Sequence, residues 1–371
     1  MAQANPQGIL KRGFTPLQSK PCIFIHRLGN GDIILVALYV DDMLIAAPTK
    51  QLAEQVISSL EEEFRLKRLG AARLVVGLEI RRDRSRRTMH ITQQRYIEDV
   101  VERFGQTHAK SSVNPCEVAT KLRHGEDGEG LDTSVYPYRS LIGSLLYISM
   151  DTRPDIVYIV GKLSKYCQRP TMQHGGAGIT VVRYLKATPT HDLRFDCNAQ
   201  LCSYSDSDWA ADVDDRRSVS GIMVLYNGAP VIFKSKTQKS VAQSTAEAEY
   251  VAQSICTQET IWVRTLLEEM GVNHAGPTAI FVDNQAAISM TKQIGYSQRC
   301  KHIDLRFHYV REKVEEGVVK PIYIPMSDQL ADYLTKPLAS SQFRHLVSKT
   351  NVHPSPQGGI DMKASMWRNR L

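Results

Sequence analysis

The chain of 371 residues has no long apolar run. Its longest, residues 33–40, falls well short of the ~18 or more that a membrane-spanning helix needs. The opening stretch MAQANPQGILKRGF carries no apolar core of the signal-peptide kind, so no secretory leader is expected. Cysteine is sparse: the 7 cysteines form no CxxC pair. That argues against a disulfide framework or a zinc site and points to reduced thiols in an intracellular setting. No tandem repeat of about 20–50 residues is present, so solenoids and propellers are excluded. Aromatic residues are only 7%, yet hydrophobic residues reach 42% against 23% charged, which excludes a wholly disordered or collagen-like chain. Excess of one charge sign is slight. A net +7 permits a nucleic-acid partner without establishing one.

What is present divides into three segments and a tail, in line with a prior of about 150 residues per domain. In residues 1–105, apolar runs at 33–40 and 43–47 flank Asp41-Asp42 and read as a β-hairpin. Leu52, Val56, Leu60 and Phe64 recur every four positions, the spacing of an amphipathic helix over 51–64. Strands at 74–80 and 88–91 are joined by the turn RRDRSRR. Residues 106–198 begin in the polar stretch HGEDGEGLDTS, a linker or long loop. Helices follow near 138–149, 155–166 and 180–186. Residues 199–338 show strands at 201–205, 221–225 and 231–234, then a long helix at 244–270 free of Gly and Pro. A strand at 279–282, helices at 285–292 and 302–316, a strand at 319–324 and a last helix at 328–336 complete it. Five strands with helices between the later ones imply a mixed α/β sheet. Residues 339–371 hold NVHPSPQGG and are expected to form a flexible tail.

Four carboxylates stand out by position. Asp206 ends the first strand of the third segment, Glu249 lies early in the long helix, Asp283 closes the strand AIFV, and Asp332 falls in DQLADYLT. Each alone is equally compatible with a turn or N-cap role. Together, at strand ends and helix starts, they can converge on one rim. Such a cluster cannot stay ionised without cations. Oxygen-only ligands select hard ions such as Mg²⁺ or Mn²⁺, and two such ions suit in-line attack of water on a phosphodiester.

The words SYSDSDWAADVDDRRSVSG, KSKTQKSVAQSTAEAEYVA, IFVDNQAAI, CKHIDLRFHYVREKV and DQLADYLTKPL, in this order and spacing, resemble the ribonuclease H domain of Ty1/copia-type retrotransposon polyproteins. The resemblance implies a five-stranded ribonuclease H fold that cleaves RNA in RNA–DNA hybrids. It also implies that Asp206, Glu249, Asp283 and Asp332 are the catalytic, metal-binding set, holding two ions.

Two of these assignments have close competitors. Glu247 and Glu249 lie about 200° apart around a helix, so only one can face Asp206. Ala248, Val251, Ala252, Ile255, Trp262 and Leu266 mark the expected buried stripe, and the two glutamates flank it on opposite sides. Ser244 to Glu247 fits a capping box, which gives Glu247 a structural role. Ala248-Glu249-Tyr250 matches the family word, and Glu249 is preferred. Asp328 resembles an N-cap, whereas Asp332 lies in the family's A-D-x-L word and is preferred there. Asp208, Asp212, Asp214 and Asp215 read as solvated loop charges. His302 in KHID is a candidate substrate contact or a capping residue. Residues 325–331 contain no histidine, so proton transfer to a leaving oxygen is expected to rely on solvent.

In the first segment, LYVDDMLIAA resembles the catalytic hairpin of copia-type reverse transcriptases, with Asp41 and Asp42 as its carboxylates. The words that follow, from FRLKRLG to VRYLKAT, keep the copia order from palm to thumb and connection. A polymerase needs a further metal-binding Asp upstream, and the one Asp before Tyr39 is Asp32, in the turn GNGD. The expectation is a truncated palm that does not polymerise alone, within the C-terminal piece of a polyprotein or a clipped genomic copy. Arg81, Arg82, Arg84, Arg86 and Arg87 crowd one turn. They read equally as phosphate contacts to a hybrid duplex and as a solvated turn.

The expected architecture is therefore α+β and α/β: a truncated reverse-transcriptase palm (1–105), a thumb/connection region (106–198), a ribonuclease H-like five-stranded mixed sheet with helices (199–338) and a tail. The expected function is metal-dependent endonucleolytic hydrolysis of RNA in RNA–DNA hybrids. The partners would be the hybrid and the remainder of the polyprotein, with no membrane. The alternative is a decayed element copy that binds nucleic acid without turnover.

Overall fold

A computed structural model describes residues 6–126, 128–198, 200–291 and 304–354. The first layer comprises α1 (Pro6–Leu10), β1 (Thr15–Pro16), β2 (Ile23–Arg27), β3 (Ile33–Tyr39), β4 (Asp42–Ala46) and α2 (Lys50–Glu61). The four strands form one antiparallel sheet in sequence order. Phe24, Ile34 and Val36 are buried with Leu60 of α2, while Leu52, Val56 and Phe64 pack around them. That is the face the four-residue spacing predicts. The Thr49 side chain caps α2 by accepting the Leu52 N–H. Strand β2, with its apolar run CIFI, is an element the sequence reading missed.

The middle of the chain contains β5 (Leu74–Val75), β6 (Leu78–Asp83), β7 (Thr88–Thr92), α3 (Gln94–Arg103), α4 (Tyr138–Asp151), α5 (Val157–Ser164), α6 (Met172–Ala187) and β8 (His191–Phe195). The helices bury Leu141, Leu145, Ile159, Leu163, Val181 and Leu185 in the largest core of the molecule. Arg153 and Asp155 lie inside it, paired at 2.7 Å, and Tyr184 donates to Asp155 at 2.6 Å. A charge pair so deep is tolerated because each partner is fully hydrogen-bonded.

The third layer comprises β9 (Leu201–Asp208), β10 (Val219–Tyr226), β11 (Ala229–Thr237), α7 (Thr245–Glu269), β12 (Thr278–Val282), α8 (Gln285–Met290), α9 (Asp304–Glu315) and β13 (Val319–Tyr323). The sheet order is β11-β10-β9-β12-β13. The first three strands pair antiparallel, and β9, β12 and β13 run parallel. This is the expected five-stranded mixed sheet. Both of its faces are covered. Ile222 and Val224 of β10 join cores on the α7 side, while Met223 and Leu225 join the core built by α3 to α6.

Three expectations need correction here. Residues 328–336 do not form a helix. Two short 3₁₀ turns, Met326–Asp328 and Asp332–Leu334, replace it. Between them the Gln329 amide reaches out of the segment to the Ser205 carbonyl at 2.9 Å, and Pro337 disfavours helical backbone at Lys336. Residues 340–354 are not a flexible tail. They form α10 (Ser340–Lys349) and β14 (Val352–Pro354), which bury Phe343, Leu346, Val347 and Val352. The i, i+3, i+4 spacing of Phe343, Leu346 and Val347 is the sequence signal of this helix. On α7, Trp262 is exposed and Leu266 half-buried, and Val263 and Leu267 line the core instead.

Strand β14 also completes the second sheet, ordered β14-β8-β7-β6-β5. That sheet joins strands from the first, second and last expected segments, so the boundaries drawn at 105 and 338 both cut across it.

Candidate active site

The site lies at the end of β9. Asp206, on β9, pairs with Gly221 of β10. Glu249 enters from the second turn of α7, whose N-cap is Ser244, with its hydroxyl accepting the Glu247 N–H. Asp283 follows directly on β12, and Asn284 caps α8 beside it. One carboxylate oxygen from each of Asp206, Glu249 and Asp283 lies within 4.8 Å of both others. Among the described residues this is the one group of three or more His, Cys, Asp or Glu side chains so arranged.

The electrostatics follow from burial. Asp206 is 2% exposed and Glu249 6%. Desolvation, then repulsion from Asp206 and Asp283, pushes the Glu249 carboxyl well above its usual range. Asp283 is raised by desolvation and by Asp206. Glu249 Oε2 is buried with no hydrogen-bond partner. Carboxylates held this close, with an unsatisfied oxygen among them, fit a hard divalent cation. Their donor set therefore agrees with Mg²⁺ or Mn²⁺.

Asp332 stands behind Asp206. It is 0% exposed, and burial and then repulsion from Asp206 raise its carboxyl. Lys336 pairs with its Oδ1 at 2.5 Å, and Gln342 donates to its Oδ2 at 3.3 Å. Asp328 faces elsewhere, pairing with Lys349 at 2.7 Å. Glu247 accepts the Gln243 backbone N–H at 2.9 Å, one residue before the Ser244 N-cap to which the expected capping box would return. Of the four carboxylates expected to form one metal-binding set, the group within 4.8 Å holds Asp206, Glu249 and Asp283, and Asp332 lies outside it.

Other candidates separate. Asp212 is not a solvated loop charge: it is 2% exposed and takes Lys162, at 3.1 Å, and Lys165. Burial would raise its carboxyl, but the two lysines hold it well below the usual range. Asp214 accepts from Tyr166 Oη at 3.0 Å. Both tie the 209–217 loop to α5 and its C-terminal end, a contact a single strand-loop word could not disclose. Asp208 is half-buried, and desolvation raises it. Asp215 is exposed. His302 lies outside the described residues. In the arginine turn, Arg82, Arg84, Arg86 and Arg87 are exposed, whereas Arg81 is half-buried and donates to Gln94 at 3.3 Å. Asp41 and Asp42 sit exposed at the β3–β4 turn, where Val40 adopts φ 53°. Among the described residues no third carboxylate joins them.

Three residues that position the site escaped the sequence reading. Thr335 Oγ1 donates to Asp206 Oδ2 at 2.6 Å. Gln329 bridges Ser205 O and the Ala331 N–H. Gly221 leaves room for that segment: a Cβ there would lie 2.7 Å from Ala331 O and from Thr335 Cγ2. A glycine inside an apolar strand, VSGIMVLY, was the available signal of close backbone approach.

Comparison with known proteins places the chain among retroelement sequences. The family model for reverse transcriptase (RNA-dependent DNA polymerase) matches residues 5–118. The Retrovirus-related Pol polyprotein from transposon TNT 1-94 of Nicotiana tabacum is 35% identical over 340 residues, covering 90% of this chain and 26% of the relative. That from transposon RE1 of Arabidopsis thaliana is 33% identical over 350 residues, covering 94% and 24%. The putative transposon Ty5-1 protein of Saccharomyces cerevisiae is 30% identical over 257 residues, covering 67% of this chain and 80% of that protein. Among solved structures, LC11-RNase H1 isolated from compost aligns at TM-score 0.29 and 15% identity, over 37% of this chain and 93% of that one. The foamy viral protease-reverse transcriptase in complex with RNA/DNA hybrid aligns at TM-score 0.39 and 12% identity, over 90% and 38%.

Fold and relatives define a retroelement chain that joins a reverse-transcriptase domain to a five-stranded mixed sheet. It spans about a quarter of the length of the Pol polyproteins it matches. The chain belongs to the Pol polyprotein family of Ty1/copia-type transposons.

Proposed function

We propose that this chain is a metal-dependent endonuclease that hydrolyses the RNA strand of RNA–DNA hybrids. The observation that carries the reading is the convergence of Asp206, Glu249 and Asp283, from three separate elements, within 4.8 Å. These three carboxylates would hold the ions, with Asp332 adding charge behind Asp206. Two bound Mg²⁺ or Mn²⁺ ions would supply an activated water and stabilise the departing 3′ oxygen.

The protein's own groups keep this arrangement ready. Thr335 fixes the Asp206 carboxylate through its Oδ2. Gln329 holds the turn that carries Asp332 against β9. Residues 325–331 bring no histidine, so the leaving oxygen takes its proton from solvent. The exposed arginines of the 84–87 turn, with Arg82, offer phosphate contacts for the duplex. The polymerase hairpin lacks a third carboxylate among the described residues, and the reading gives it no synthetic role in this chain alone.

The test is incubation of the full chain with an RNA–DNA hybrid, end-labelled on RNA, in Mg²⁺. Cleavage of the RNA strand and sparing of a DNA duplex support the reading. Tight binding of the hybrid without cleavage supports instead a relic that only binds.

A further inference from the structure

Lys336 is a basic residue set among the acids of the site. Its ammonium pairs with Asp332 Oδ1 at 2.5 Å. The carboxylates of Asp206, Asp332 and Asp208 all lie near enough to act on its charge. In return it lowers the cost of charge on Glu249, Asp283 and Asp208. Its place is fixed from both sides. Thr335 before it is held by Asp206 Oδ2 and by the Asp332 carbonyl at 2.8 Å. Pro337 after it locks the backbone, and the Lys336 N–H itself bonds the Asp332 carbonyl at 3.3 Å. The side chain is 30% exposed, so the ammonium has a route to solvent.

The cluster is thus asymmetric. Glu249 Oε2 and Asp332 Oδ1 are both buried without a hydrogen bond, but Asp332 Oδ1 has the Lys336 ammonium against it. On the Asp332 side, a lysine already supplies a positive charge. We propose that Lys336 is a tethered cation that occupies the Asp206–Asp332 side of the site and competes with a second divalent ion there. A first ion then binds the Asp206, Glu249 and Asp283 group with the lysine in place. A second enters only as the ammonium swings out along its flexible stem, so Lys336 sets the spacing between the two metal affinities.

This rests on reading the cluster as a divalent-ion site, and the experiment separates the two claims. Mn²⁺ is titrated by calorimetry into the full-length chain, its K336M variant and its K336R variant, each checked for native circular dichroism. The wild type is expected to bind one ion well and a second far more weakly. K336M keeps the aliphatic stem and removes the charge, so its second affinity rises at least about tenfold, because a unit charge a few Å from a divalent ion repels strongly even at a protein-surface dielectric. K336R keeps the charge and the wild-type spacing. Should K336M not fold, Lys336→Gln serves in its place. An unchanged second affinity on removing the charge overturns the role of Lys336 and leaves the metal site standing. So does a K336R isotherm that matches K336M. Absence of Mn²⁺ binding in every chain overturns the metal site and the inference together.

Discussion

Thr335 Oγ1 donates to Asp206 Oδ2 at 2.6 Å, joining residues 129 positions apart in sequence. This bond makes the last 3₁₀ turn part of the active site. The turn's polar side chains bond both β9 and their own backbone, and those local bonds compete with a helix.

Gly221 is the condition for that contact. Replacing it with alanine puts a methyl 2.7 Å from a backbone oxygen, which cannot move as a flexible side chain would. Gly221→Ala is expected to cost about 1–3 kcal/mol of stability, by overpacking. It should also weaken divalent-ion binding, because the turn bearing Thr335 and Asp332 is pushed off Asp206. Urea unfolding and Mn²⁺ titration of the variant check both parts. Wild-type values in both would show that the turn is not seated on β10 as described.

Stability should fall on mild acidification through His191. Burial, then the nearby Arg153 charge, lowers its pKa from 6.5 to about 4. The unfolded chain therefore takes up a proton near 6.5 while the folded one resists until about 4. This contribution is whole above pH 6.5 and drains away as pH drops toward 4, by on the order of 2 kcal/mol. His191→Gln should flatten that part of the profile. Denaturant midpoints at pH 7 and 4.5 for both proteins decide it, and an equal loss in the two would contradict it.

The β3–β4 hairpin should be inert in synthesis. Asp41 and Asp42 are exposed, and no third carboxylate lies with them among the described residues. Two acids on one turn cannot enclose the ions of a polymerase centre. Primer extension with the 371-residue chain, template and Mg²⁺ is expected to give no product above background. Mg²⁺-dependent extension abolished by Asp41→Asn would overturn this.

Much of this architecture was legible in the sequence, for identifiable reasons. Helix α7 declared itself by its length without Gly or Pro and by its Ser244 cap, and the strands β9 to β12 by apolar runs ending in Asp or a turn. Asp206 and Asp283 stood out at strand ends, whereas Glu249 was separated from Glu247 by the family word Ala248-Glu249-Tyr250 and not by its place on the helix. What was hidden depends on contacts across the chain. Asp212 looks like any loop acid until Lys162 and Lys165 arrive from α5. Strands β8 and β14 are short and polar, so only their pairing into the second sheet defines them. The turn at 326–335 was mistaken for helix because local apolar spacing cannot show that Gln329 and Thr335 bond to another strand.

The central claim is that the carboxylate cluster is a hydrolytic centre. It is tested most directly by comparing the full chain with Asp283→Asn on an RNA–DNA hybrid, end-labelled on RNA, in Mg²⁺. That change replaces one charged ligand by a near-isosteric neutral amide. The account predicts Mg²⁺-dependent cleavage of the RNA strand by the unaltered chain and a loss of at least about a hundredfold in the variant, on the scale of removing a preorganised electrostatic contact, with the fold retained by circular dichroism. Equal cleavage by both proteins, or none by either while the hybrid stays bound, would contradict it.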